Sequence, residues 1–420
     1  MKKVRFSGDF ILVAAGQIIS ILGNQILRYA LPLYLLNQTG SAALFGTVMA
    51  VAFIPMLLLY PIGGIIADRF NKRNIMVILD FSTAILIFLF FILTKKIDIA
   101  PLMAITMIFL YGMQGAYQPA VQASIPLLVD KEHIMQGSSI INTITSLSSM
   151  VGPVIGGILF SVVGLNPILY VSIGCFFASA VMEMFIRIPF EKREAKGNIF
   201  VTGFKDIKDS FNFMFRKLPV LWKVSLIYSS IGLFLTSLSL IAVPVIITQH
   251  LGFAPDTANR LYGYAQGVIA VGAVSGGVLA GVLSKKLKST ASPFIIAGCA
   301  LSILLVGIAL QILREPMQIY VILIIGCGLL VSLSTVFQIQ IMSYIQILTP
   351  NELIGKVISC VICICMCTMP LGQLIYGLIF EKIESGAYLP FYVAASIMIS
   401  ISIFTRHIFY GIDSLLSKKK

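Results

Sequence analysis

The sequence predicts an all-α membrane protein with twelve transmembrane helices, arranged as two six-helix bundles related by a parallel internal repeat. Three observations lead to this fold class. Of 420 residues, 58% are hydrophobic and 11% charged, with a mean hydropathy of +0.98. The apolar residues come in unbroken runs, without the alternation of a half-buried soluble protein. One polar, basic stretch divides these runs six and six, and short patterns recur on either side of it.

A run of about 20 apolar residues spans a bilayer as a helix. Only helices and closed barrels satisfy their backbone polar groups in lipid, and long non-alternating runs select helices. The first span covers roughly residues 10–36. The basic N-terminus before it resembles a signal peptide, but Asp9 interrupts the pattern, the run continues to about Leu36, and no convincing cleavage site follows. It is therefore expected to stay as the first helix. Spans at roughly 42–66, 75–94, 100–122, 136–163 and 167–187 complete the first half. The second half holds spans at roughly 222–248, 261–283, 292–313, 318–345, 356–380 and 390–410. The expected domains are an N-terminal bundle (1–187), a cytoplasmic linker (188–221) and a C-terminal bundle (222–420). In the linker, Phe204, Ile207, Phe211, Phe215 and Leu218 share one helical face, with Lys205, Arg216 and Lys217 turned away. That pattern suits a basic amphipathic tether lying on the cytoplasmic leaflet.

Net charge is +13, which in a soluble chain would suggest nucleic acid. Here it is a topology signal. With both termini cytoplasmic, 24 of the 30 Lys and Arg fall on the inner side, five fall outside, and Arg28 lies within a span. That is the positive-inside bias, so nucleic-acid binding has little support. The bilayer is the expected surrounding and a monomer the expected state. All seven cysteines sit in apolar runs, so no disulfide framework is implied. Cys360, Cys363, Cys365 and Cys367 crowd one span without an accompanying His or carboxylate, and are read as small apolar residues rather than a metal site. His133, His250 and His407 lie scattered at membrane edges. Neither GxxxxGK[ST] nor HExxH occurs, which disfavours an ATP-driven pump and a membrane metalloprotease. No enzyme activity and no bound cofactor are expected.

The repeat is direct. A shift of 213 lays "GGIIADRFNKR" (63–73) over "GGVLAGVLSKK" (276–286). A shift of 212 lays "YALPLYLLNQTG" (29–40) over "IAVPVIITQHLG" (241–252), and a shift of 220 lays "YQPAVQASIP" (117–126) over "FQIQIMSYIQ" (337–346). Each copy has an even number of spans, so both keep one orientation. This geometry belongs to two-lobed carriers whose substrate site lies near the bilayer midplane between the lobes.

The segment Gly64-x-x-x-Asp68-Arg69-x-x-Lys72-Arg73 resembles the loop 2–3 signature of the major facilitator superfamily. Asn71 stands where that family usually has Gly, and is expected to keep a tight turn by tolerating a left-handed backbone. "GPVIGG", with Gly152, Pro153, Gly156 and Gly157, is similar to the helix 5 signature of drug exporters in the same superfamily. "LGNQILRYALPLYLLNQTGS" (22–41), Asp80 early in the third span and "TPNELIGKV" (349–357) together resemble the macrolide-efflux and siderophore-exporter branch.

Three expectations follow from the residues and this resemblance. First, Asp68 would face the start of helix 11 near Gly355 and Lys356 and latch the cytoplasmic side, since its repeat counterpart is Gly281 and the acid occurs once. Arg69 and Arg73 would order the loop through carboxylates, with Asp80 as a partner, while Lys72 marks the cytoplasmic side. Second, the family's cavity is lined by helices 1, 4, 7 and 10. Gln17, Ser20, Asn24 and Arg28 share a face of helix 1, and Gln114, Tyr117 and Gln118 share a face of helix 4. Tyr228, Thr236 and Ser239 on helix 7 and Ser334, Thr335 and Gln338 on helix 10 would complete it, with Gln118 and Gln338 as repeat partners. Arg28, whose counterpart is Leu240, would meet an anionic or carbonyl-rich substrate, the rival role being a structural bond. Third, Asp80 and Glu183 are placed near cytoplasmic helix ends, Glu183 pairing with Arg187, so no mid-membrane acid is expected and proton coupling rests on the resemblance alone. The expected function is secondary active export of a small amphipathic molecule, drug, macrolide or siderophore-like, driven by the proton gradient. An importer or uncoupled facilitator of a small anionic or polar solute is the first alternative. A receptor or membrane enzyme on the same scaffold would need clustered acids or His at one face, which the sequence lacks.

Overall fold

The twelve apolar runs fold as helices in a computed structural model, which describes residues 7–130, 133–188, 215–216, 218–283, 288–350, 354–383 and 386–417. Among them no strand occurs. The first six helices are α1 (Gly8–Thr39), α2 (Ala42–Arg69), α3 (Lys72–Leu93), α4 (Ile99–Leu128), α5 (Ile134–Val163) and α6 (Leu165–Met184). The next six are α7 (Pro219–His250), α8 (Pro255–Leu283), α9 (Ser292–Ile312), α10 (Pro316–Leu348), α11 (Ile354–Lys382) and α12 (Leu389–Phe404). A short α13 (Arg406–Ser417) follows the turn at Thr405, so the run read as 390–410 bends before its end.

Local chemistry sets the boundaries. Ser7 and Ser41 cap α1 and α2, their hydroxyls accepting from the amides of Phe10 and Leu44. Positive φ is taken only by glycines among the described residues, Gly40 between α1 and α2 being one. Asn71 departs from expectation. Its φ is −64° and ψ 117°, and its side chain accepts from the Arg73 amide. It serves as the N-cap of α3, an extended position that Asn fills well, and no left-handed turn forms there. Two π-helical turns, Gly232–Thr236 and Ile246–His250, lie inside α7. At the first, Gly372 of α11 comes so close that a Cβ on it would sit 2.6 Å from the Leu233 carbonyl oxygen.

By its internal contacts the chain divides into two compact units. One comprises Met1–Glu194 and Ala254–Gly267, the other Ala195–Phe253 and Val268–Lys420. In the first, α1 packs on α5 and α6, α3 on α4 and α6, and α2 on α4. In the second, α7 packs on α11 and α9 on α10 and α12, the same pairings displaced by six helices. Glycines reproduce the remaining pairing. A Cβ on Gly63 would lie 2.7 Å from the Ala116 Cα of α4, and one on its repeat counterpart Gly276 would collide with the Ser332 carbonyl of α10. The following glycines, Gly64 and Gly277, meet no atom within 4 Å. The parallel repeat is thus written into helix packing as well as sequence.

The start of α8 joins the first unit through specific contacts. The Tyr29 hydroxyl donates to the Asn259 carbonyl at 2.7 Å, Asn37 Nδ2 donates to Asn259 Oδ1 at 2.9 Å, and Tyr29 stacks on Tyr262 with ring centroids 4.8 Å apart. Most of the expected linker helix lies outside the described residues; within them, Phe215 packs on Trp222 at 4.8 Å.

Candidate functional site

The polar face of α1 turns inward in the first unit. Gln17 is fully buried, and its Nε2 donates to the Tyr117 hydroxyl at 2.6 Å. One turn on, the Ser20 hydroxyl donates to Asp80 Oδ1 of α3 at 3.0 Å. Asn24, 8% exposed, lines a cavity together with Ser20, Asp80, Thr83, Gln114, Tyr117 and Gln118. The walls between are Ile21, Leu79, Leu110, Met113 and Phe176. The helical spacings read from the sequence therefore gather Asn24, Gln114, Tyr117 and Gln118 around one space, with Gln17 hydrogen-bonded behind Tyr117. Such a set of side chains in a spanning bundle suits a polar ligand or water, not lipid.

Arg28 is half-buried, and its guanidinium lies 4.1 Å from the centroid of the Tyr111 ring. A cation over an aromatic face is stabilised by about 0.5–2 kcal/mol, more as it is desolvated.

Two sequence expectations are corrected. Glu183 does not pair with Arg187. It is fully buried and accepts a 2.6 Å hydrogen bond from the Tyr117 hydroxyl, while Arg187 is exposed and its backbone amide donates to Asp9 Oδ1. α6 ends at Met184, so the one-turn register that would bring Arg187 over Glu183 is lost. Asp80 does not partner Arg73. Its side chain, 3% exposed, faces Ser20, and the Arg73 guanidinium donates to the Met184 carbonyl at the end of α6. Both acids thus join the buried polar cluster. A signal for Glu183 was present: Ser172, Ser179 and Glu183 repeat on one face of α6 and are all buried.

The glycines of "GPVIGG" are contact points. A Cβ on Gly152 would lie 2.5 Å from Gln25 Cβ, one on Gly156 3.2 Å from the Tyr29 ring, and one on Gly157 2.7 Å from Gly263 Cα. Pro153 sits within α5, and its carbonyl lies 3.2 Å from where a Cβ on Gly263 would be. The motif lets α5 approach α1 and the start of α8 backbone to backbone.

In the loop 2–3 motif, Arg69 is exposed and Lys72 and Arg73 are partly buried at the start of α3. The side chains of Asp68, Gly355 and Lys356 lie outside the described part, and so does the expected latch. In the second unit, Tyr228 packs on Phe337 at 6.3 Å, Thr236 sits in the first π turn, Ser239 is buried, and the Ser334 and Thr335 hydroxyls both donate to the Val331 carbonyl. Gln338 is exposed. These second-half residues line none of the described cavities. Among the described residues no group of three His, Cys, Asp or Glu could hold a metal ion.

The Major Facilitator Superfamily profile matches residues 13–368. Macrolide efflux protein A of Streptococcus pyogenes is 24% identical over 400 residues, covering 94% of both chains. The enterobactin exporter EntS of Shigella boydii is 28% identical over 160 residues, 37% of this chain and 38% of that one. Among solved structures, the nucleoside transporter NupG superposes with a TM-score of 0.70 at 11% identity, covering 97% of this chain and 99% of the other. A bacterial homologue of the iron transporter ferroportin, inward-facing, gives 0.70 at 15% identity over 97% and 98%. At such identities the structures speak for the fold alone. The chain belongs to the major facilitator superfamily, as a multi-pass bacterial secondary transporter similar to the macrolide-efflux and siderophore-exporter branch, and it is not an enzyme.

Proposed function

We propose that the protein exports a small amphipathic molecule, macrolide- or siderophore-like, by alternating access of its two six-helix bundles, using the proton gradient. The observation that carries this reading is the polar cavity enclosed by α1, α3 and α4, where Asn24, Asp80, Gln114, Tyr117 and Gln118 converge inside an otherwise apolar bundle. The space between these groups holds about one water, and the convergent polar groups with apolar neighbours suit the polar part of an amphipathic ligand. Export is favoured by the relatives' names, macrolide efflux protein and enterobactin exporter, and by the close-packed glycines of α5, which resemble the drug-exporter signature. Substrate-induced thermal shift of the purified protein across macrolides, siderophores and cationic dyes tests the ligand class. The expected hit is an amphipathic compound, whose accumulation in inverted vesicles then depends on an imposed pH gradient. A ligand that stabilises the protein yet equilibrates without any gradient would overturn the coupled part of the reading.

Arg28 favours a second reading, a facilitator or importer of a small anionic solute. Its guanidinium is half-buried, and among the described residues it has no carboxylate partner. Arg28→Leu separates the two. Loss of transport confined to anionic or carbonyl-rich compounds places Arg28 on the substrate, and unchanged transport removes it from the site.

A further inference from the structure

Asp80 and Glu183 are unusual in an apolar bundle. They are 3% and 0% exposed, and Tyr117 relates them, donating to Glu183 and lining the same cavity as Asp80. Asp80 Oδ1 accepts from Ser20 and Glu183 Oε1 from Tyr117, while the hydroxyl of Ser179, near Asp80, donates to the Gly16 carbonyl. The other oxygens, Asp80 Oδ2 and Glu183 Oε2, are buried without a partner, and so is Gln17 Oε1 beside them. The cluster therefore holds more acceptors than donors. Binding one proton turns a bare acceptor oxygen into a donor, correcting the imbalance in a single step. Two carboxylates buried together without a counter-charge lose hydration that nothing replaces, so a compensating positive charge is required.

Among the described residues the surrounding helices place no cationic side chain in a hydrogen bond with either carboxyl. On α1, Asp9 accepts from the Arg187 amide and Arg28 lies over Tyr111. α4 brings only the phenols of Tyr111 and Tyr117, and α5 carries no titratable side chain. On α3, Lys72 and Arg73 precede Asp80, and Arg73 is turned to the Met184 carbonyl. α6 adds Cys175 and, further out, Tyr170; α2 adds Tyr60, the exposed Arg69 and Asp68, whose side chain is outside the described part. Asp80, Ser20 and Tyr117 line the cavity, whereas Glu183 lies behind Tyr117. A proton arriving from the cavity thus meets Asp80 first, and Tyr117 links the cavity to Glu183.

We infer that Asp80, held by Ser20, and Glu183, held by Tyr117, form a buried proton-binding pair inside the first bundle, the site where transport is coupled to protons. The inference deepens the proposed function and rests on it for the coupling. One proton is taken onto a carboxylate oxygen and later returned to water, with no other bond changed.

The test uses the purified full-length protein in lipid, in sodium-free buffer. Infrared difference spectra between acid and alkaline pH should show a carboxylic-acid C=O band that vanishes on alkalinisation. Asp80→Asn and Glu183→Gln should each remove or change it. Tyr117→Phe keeps both carboxyls and should shift the band by removing the hydroxyl donor to Glu183, so a carboxyl variant that fails to fold does not decide the matter. Spectra unaltered by all three variants overturn the pair, and so does a band controlled by sodium at fixed pH. In vesicles, Asp80→Asn should lose gradient-driven transport. A pair that titrates in a wild-type protein indifferent to the pH gradient overturns the coupled reading instead. A proton-driven wild type with no titrating pair overturns this inference alone.

Discussion

Gly157 of α5 and Gly263 of α8 meet without side chains between them: a Cβ on Gly157 would lie 2.7 Å from Gly263 Cα, and one on Gly263 2.9 Å from Gly157 Cα. Both partners are backbone, so no side-chain rotation relieves the overlap. Small residues permit such approach where lipid supplies no hydrophobic drive for helix association. Gly157→Ala is therefore expected to displace the start of α8 from α5 and to destabilise that packing by about 1–3 kcal/mol. Tyr29→Phe removes only the hydroxyl that donates to the Asn259 carbonyl, and is expected to cost about 1 kcal/mol. Thermal unfolding of the purified protein ranks the two. A Gly157→Ala protein as stable as wild type would show that the close approach is dispensable.

Adjacent glycines give a sharper contrast. Gly63 and Gly276 pack against α4 and α10, whereas Gly64 and Gly277 face open space. Gly63→Ala and Gly276→Ala are expected to lower stability to a similar extent, about 1–3 kcal/mol for an overpacked contact. Gly64→Ala and Gly277→Ala should be neutral, or slightly stabilising through the helix preference of Ala over Gly. The measurement is the melting temperature of four single variants. Equal behaviour of neighbours within either half would contradict the packing, and unequal behaviour of Gly63 and Gly276 would contradict the repeat.

The contrast also marks what was legible in the sequence. Helices were legible because lipid forces apolar runs of fixed length, and the repeat because Gly63 and Gly276 answer the same packing need. Cavity residues on α1 and α4 were legible because helical spacing fixes which side chains share a face. Partners across helices were not. Nothing along α6 says that Glu183 will meet a tyrosine 66 positions earlier rather than an arginine four positions later. That choice depends on where α6 ends and how α3 and α4 pack around it. Asn71 shows the same limit, since residue type allowed a left-handed turn or an N-cap and the start of α3 decided for the cap.

Asp68 supplies the last prediction. It lies in the last turn of α2, which ends at Arg69. Carbonyls converge there and the helix dipole disfavours an acid by about 0.3–1 kcal/mol, so the residue is kept against its local cost. Its counterpart in the second half is Gly281, so the repeat does not require it, and acids contribute little to membrane orientation. A role in the conformational cycle fits these facts, with the carboxylate stabilising the N-terminus of a helix in only one state. Asp68→Asn keeps size and removes the charge. The protein should insert and fold normally but transport more slowly, with the cytoplasmic side open for longer. Cysteine-accessibility labelling of that side, measured beside initial transport rates, checks both consequences. Unchanged rates in correctly inserted protein would mean that Asp68 is an ordinary solvated acid.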